Sequence, residues 1–91
     1  MRDLGKLQDA ELSTRKAIEL NPNYAEALSN LGNILKDLGK LKEAEISTRK
    51  AIELNPNSAE AHLNLGIILS DLGNLQEALK YWIKSVELLC E

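Results

Sequence analysis

The sequence predicts an all-α fold in which antiparallel helix-turn-helix units stack in series, and three observations carry that prediction. Residues 4–23 and 38–57 agree in all but three of twenty positions, at an offset of 34 residues. The segment between them repeats at the same offset, 25–39 against 59–73, with eleven of fifteen positions shared. A fixed period of this length marks an architecture whose units bury their apolar faces on their neighbours and not on themselves. Within each period, apolar residues recur at helical spacing in two stripes, divided by a glycine and by an Asn-Pro pair.

Five helices follow in order. The first, about 7–20, is a near-copy of the third and is the second member of its unit, here a B helix. The second, 24–38, is an A helix with Leu28, Leu31, Ile34, Leu35 and Leu38 on one stripe. Asn23 with Glu26 three residues on reads as a capping-box start, and Gly39 ends the helix. In the third, 41–54, the stripe is Leu41, Ala44, Thr48, Ala51, Ile52 and Leu54. Asn55-Pro56 breaks it, because proline cannot donate the next intrahelical bond, and Asn57 starts the fourth helix, 58–72. The fifth, 75–89, carries Leu79, Trp82, Ile83, Val86, Leu88 and Leu89. Gly32 and Gly66 lie inside A helices, where glycine costs about 1 kcal/mol relative to alanine. Close approach of the following B helix at Ala44 and Ala78 is the expected compensation, with Ala17 and Ala51 admitting the next A helix. The chain thus divides into a half repeat, 1–23, and two whole repeats, 24–57 and 58–91, within one domain. It reads as a piece of a longer array or a natural truncation.

Composition narrows the class. Apolar residues at 44% and charged residues at 27% lie near globular averages, against disorder. The densest apolar run is Ile67-Ile68-Leu69, so neither a membrane span nor a signal-peptide core is expected. One cysteine, Cys90, excludes an intramolecular disulfide and points to a reducing, cytoplasmic compartment. A formal charge of -3 argues against a nucleic-acid partner. The basic pairs Arg15-Lys16 and Arg49-Lys50 are bracketed by acids, the third unit has Ile83-Lys84 there, and only three aromatic residues exist for stacking.

No catalytic constellation is found. The only histidine, His62, and the only cysteine lie in different helices at structural repeat positions, so no nucleophile has a base and no metal site has ligand spacing. No cofactor is expected. The pairs Glu11–Arg15 and Glu45–Arg49, four apart, and Lys50–Glu53, three apart, read as a solvated outer face.

The segment 25–57 resembles a tetratricopeptide repeat, with Leu28, Leu31-Gly32, Leu35, Ala44, Thr48, Ala51 and Pro56 at the pattern positions. The next unit supplies His62, Leu65-Gly66, Leu69, Ala78, Trp82, Ser85 and Cys90. Thr14 and Thr48 stand where an aromatic residue is usual, Glu11 and Glu45 where an apolar one is, and Cys90 where proline is. The threonines are expected to leave their B helices underfilled, so that Thr48→Tyr would stabilise. The resemblance implies a short right-handed α-solenoid whose A helices line a concave peptide groove. The expected peptide-binding residues are Asn30, Asn33, Lys36, Leu63, Asn64 and Ile67, with Asn30 and Asn64 matching an asparagine that such proteins use to hold a peptide backbone.

Lys36 is the one clear base on that wall against Glu26, Glu60, Asp37 and Asp71, which excludes a carboxylate clamp and favours an apolar or mildly basic peptide. Three functions fit: a peptide-binding scaffold, a self-assembling fragment of a longer array, and a regulatory segment of a larger enzyme such as a glycosyltransferase. Homodimerisation is expected through the last helix, at Leu79, Trp82, Val86 and Leu89.

Overall fold

The computed structural model describes residues 4–90; the first three residues of the half repeat and Glu91 lie outside them. Five α-helices succeed one another: α1 (Leu4–Leu20), α2 (Ala25–Asp37), α3 (Leu41–Leu54), α4 (Ala59–Asp71) and α5 (Leu75–Leu89). The A helices are α2 and α4. The tightest pairings are α2 with α3 and α4 with α5, inside each unit, while α1 packs on α2, α3 on α4, and the two A helices touch. Each element thus meets only its near neighbours along the stack, which defines an α-solenoid. The helix limits follow the apolar stripes closely, except that α1 begins at Leu4 and runs through Gly5.

Two kinds of turn repeat. After α2, Gly39 takes φ +82°, the Gly39 amide donates to the Lys36 carbonyl at 3.0 Å, and the Lys40 amide donates to the Leu35 carbonyl at 2.8 Å. Gly73 closes α4 identically, at φ +89°, with Asn74 donating to Leu69 at 2.8 Å. Only glycine enters this left-handed region without strain, so a three-residue link reverses the chain. After α1 and α3 the Asn-Pro-Asn turns instead use side chains: Asn21 and Asn55 each accept, through Oδ1, from the amide two residues on, at 3.3 Å. The start of α2 differs from expectation. Its N-cap is Tyr24, with no side-chain cap bond, whereas Ser58 caps α4 by accepting from the Ala61 amide at 3.2 Å. A phenol on a rigid ring does not reach back to its own helix terminus; a serine hydroxyl does.

The core forms in two layers. Leu31, Leu35, Ala44 and Ile68 make one, with Ile18 and Leu72 against it; Leu65, Leu69 and Ala78 make the other, with Ile52, Tyr81 and Trp82. Each layer is sealed by a preceding B helix. The glycines sit where helices of one unit cross. A Cβ on Gly32 would collide with the Thr48 hydroxyl and stand 3.3 Å from the Ala44 carbonyl, while on Gly66 it would strike the Trp82 indole. Close approach is therefore real, but the group filling the glycine notch is the side chain sixteen residues on, with Ala44 secondary.

Thr48 is 0% exposed and its side chain occupies the notch at Gly32, so the expected vacancy is not found on that side. Its hydroxyl has no hydrogen-bond partner. Thr48→Tyr would have to part packed helices and should lower stability. Thr48→Val, which keeps the shape and removes an unpaired buried hydroxyl, should raise it by about 1 kcal/mol, measured by urea denaturation. Gly32→Ala should destabilise, and less so in a Thr48→Ala background, because the two side chains compete for one notch.

Candidate functional site

The two A helices, α2 and α4, pack side by side and form the wall expected to bind a peptide. Of the six residues expected there, Asn30 and Leu63 are exposed, Asn33, Lys36 and Ile67 are half-buried, and Asn64 is buried at 8% exposure. The two asparagines are thus not equivalent. α4 has an A helix, α2, before it in the stack, whereas among the described residues no A helix precedes α2. A polar cleft of about 440 Å³ opens between the N-terminal halves of these helices, walled by Glu26, Ser29, Asn30, Asn55, Ser58 and Glu60. Only Asn30 of the expected set lines it; Asn33, Lys36, Leu63, Asn64 and Ile67 lie elsewhere on the wall.

Ser29 is 6% exposed and its hydroxyl has no partner. A buried hydroxyl on a cleft wall, next to an exposed amide, leaves hydrogen-bonding capacity for a ligand to complete. Sequence pattern alone does not separate Ser29 from its neighbours, because the cleft exists only where α2, the α3 turn and α4 converge.

The outer face is more organised than a set of intrahelical pairs. Arg15 donates through Nε to Glu11 of its own helix at 2.9 Å and through Nη2 to Glu43 of α3 at 3.3 Å, and Lys40 adds a bond to Glu11 at 3.4 Å. One repeat on, Arg49 donates to Glu45 at 3.0 Å, to Glu77 of α5, and through Nη1 to the Tyr81 hydroxyl at 3.1 Å. Both arginines therefore bridge successive B helices, to a glutamate 28 residues on. The Arg15 hydrogen bond, helped by Lys40 and opposed by desolvation, holds Glu11 below the usual carboxylate range. The Arg49 hydrogen bond does the same for Glu77, and Arg49 is itself raised, mainly by Glu77.

His62 is buried and its Nδ1 lies 2.8 Å from the Ser58 carbonyl, an acceptor only, so Nδ1 carries the proton and the ring is a packing element. Cys90 is exposed at the end of α5. Among the described residues no group of three or more His, Cys, Asp or Glu is placed to hold a metal ion, and no helix is long and apolar enough to cross a membrane. Trp82 lies on Gly66, turned away from the outer strip of α5, which exposes Leu75, Leu79, Ile83, Val86 and Leu89.

Stacked helical hairpins with a polar cleft between the A helices and an ion-paired outer face define a helical-repeat scaffold of the protein-interaction class. The chain matches the tetratricopeptide repeat family over residues 25–58 and 48–80, and the TPR repeat over 1–39. With these matches running across residues 1–80, the chain belongs to the tetratricopeptide repeat family. Its fold is shared with solved structures of MamA: one at 29% identity and TM-score 0.85, covering 93% of this chain and 50% of that one. A second, described as MamA MSR-1, is 30% identical at TM-score 0.84, with 93% and 49% covered. The chain spans about half the length of the MamA chains it matches. No curated protein matches the sequence.

The depressed glutamates set an acid limb of stability. A carboxyl whose folded pKa lies below its unfolded value, about 4.3, contributes stability present in full above that value and lost as pH falls through the folded one. The thermal midpoint should therefore hold steady down to about pH 5 and drop below about pH 4. Glu77→Gln should lower the neutral-pH midpoint and flatten that drop, followed by circular dichroism; an acid limb as steep as the wild type's would refute the assignment.

Proposed function

We propose that this chain is a non-catalytic interaction scaffold that binds an extended peptide on its concave face, in the cleft between α2 and α4. The observation that carries this reading is the unpartnered, buried Ser29 hydroxyl beside the exposed Asn30 amide. A peptide backbone supplies both a donor and an acceptor, which a serine and an asparagine together can satisfy. Glu26 and Glu60 on the same cleft, with exposed Leu63 farther along α4, favour a peptide that is basic and apolar. Membership of a family of interaction repeats supports the scaffold role, and a cytoplasmic location belongs to the same proposal.

Fluorescence anisotropy with a library of labelled peptides tests it. Basic, apolar peptides should bind best, and Ser29→Ala and Asn30→Ala should each weaken them about fivefold, the scale of one lost hydrogen bond. Preference for acidic C-terminal peptides, or indifference to both substitutions, would overturn the reading.

A second reading, self-association through α5, is favoured by its apolar outer strip: Leu75, Leu79, Ile83, Val86 and Leu89 are 52–74% exposed. Ile83 occupies the place of Arg15 and Arg49 in the repeat. A head-to-tail copy would set Ile83 against Asp9, the equivalent of Glu43 and Glu77, without the bridging ion pair. The strip therefore suits a two-fold α5–α5 homodimer better than a continuing stack. Trp82 contributes by stiffening α5 against Gly66. Sedimentation equilibrium should show a dimer at micromolar concentration that Leu79→Glu or Val86→Glu dissociates with helicity retained; a monomer at all concentrations would exclude it.

A further inference from the structure

On the outer face, between α1 and α3 and floored by Leu28, Leu31 and Leu35 of α2, lies an apolar cleft of about 800 Å³. Its walls include Ile18 and Ile46, the latter 70% exposed, with Ser47 at the base of one wall and Arg15 at the rim. The same place one repeat on shows what such a site holds. There residue 81 is a tyrosine where residue 47 is a serine. The Tyr81 ring packs on the Leu65, Leu69 and Ala78 cluster, lies 5.9 Å from the His62 ring, and has the Arg49 guanidinium 5.7 Å from its centroid. Its hydroxyl accepts from Arg49 Nη1 at 3.1 Å.

Arg15 is held as Arg49 is. Nε goes to the glutamate four residues back and Nη2 to the glutamate 28 residues on in both cases. The nitrogen that meets Tyr81 in one unit faces a position in the other where Ser47 has turned inward to donate to the Leu28 carbonyl at 2.7 Å. Two further exchanges make the first cleft more apolar than its counterpart: Ile46 for Lys80 at the rim and Leu28 for His62 at the floor.

We infer that the α1–α3 cleft is a binding site for the tyrosine side chain of a partner peptide, which takes the place that Tyr81 fills within the chain one repeat later. The ring would lie on Leu28, Leu31 and Leu35, with Arg15 against its face and hydroxyl. A neutral phenol suits the rim, where Glu19 and Glu43 offset Arg15 and Lys50; a phosphorylated ring would meet those carboxylates. A ring anchored in an apolar cleft with one polar handle is the arrangement that concentrates binding energy at peptide interfaces. This site is separate from the concave cleft and stands or falls independently of it.

The test titrates the full chain, ¹⁵N-labelled, with N-acetyl-tyrosinamide, N-acetyl-phenylalaninamide and N-acetyl-phosphotyrosinamide, read by amide shifts. Tyrosinamide should give saturable shifts at Leu28, Leu31, Ser47 and Arg15 and leave Asn30 unmoved. Phenylalaninamide should bind about two- to fivefold more weakly for want of the hydroxyl's hydrogen bond, and tyrosinamide should bind Arg15→Ala at least as weakly, through loss of the cation–π contact. Ser47→Tyr should fill the cleft, raise the thermal midpoint and abolish the shifts, and Ile46→Lys should weaken them. Non-saturating or concave-face shifts, tighter binding of phosphotyrosinamide, unchanged affinity in Arg15→Ala, or a Ser47→Tyr chain that fails to fold would each overturn the inference.

Discussion

The contact on which the rest depends is the crossing of A and B helices at Gly32 and Gly66. Glycine in a helix interior is unfavourable by about 1 kcal/mol, and here the loss is offset because each notch admits a side chain of the facing helix. Thr48 enters one and Trp82 the other. That insertion brings the helices of a unit close enough for a serine to bridge them: Ser47 donates to the Leu28 carbonyl, and Ser85 to the Ala59 carbonyl at 3.0 Å. Once the hairpins are this tight, their apolar stripes cannot all be hidden inside one unit, and stacking follows.

Stacking is then read differently on the two sides. On the outer face, an arginine on one B helix reaches a glutamate on the next, and these bonds tie α1 to α3 and α3 to α5. Exposed pairs contribute little individually, but their positions determine register and lend the face its mixed charge. On the inner face the A helices meet with short polar residues, and the cleft at Ser29 and Asn30 is what remains between them. One architecture thus presents an ion-paired outer wall and an inner wall on which the Ser29 hydroxyl is left without a partner.

Near-identical repeats also make small departures conspicuous. Ser47 against Tyr81, Ile46 against Lys80 and Ile83 against Arg49 are three of the eight exchanges between residues 41–54 and 75–88, where α5 departs from the repeat that α1 and α3 share. Each changes a surface rather than the fold, opening a cleft in one unit and an apolar strip on the last helix. In a solenoid the units carry the stability collectively, so individual surface positions are free to specialise.

The helices, their order, the glycine and Asn-Pro turns and the family were determined by the sequence itself, because these rest on local rules: helical spacing of apolar residues, the left-handed glycine, the missing proline amide. Limits at cap positions were legible only to within a residue or so, since Tyr24 and Ser58 occupy equivalent places and only the serine caps. What the tertiary structure alone decided is which residues meet across helices. Asn30 and Asn64 share a motif yet differ in burial, Trp82 turns to Gly66 and leaves the outer strip to Leu79 and Ile83, and Arg49 selects Glu77 as well as Glu45. A periodic pattern states which face of a helix is apolar, but the rotation and separation of neighbouring helices, set by whatever fills each glycine notch, determine which side chains on that face touch.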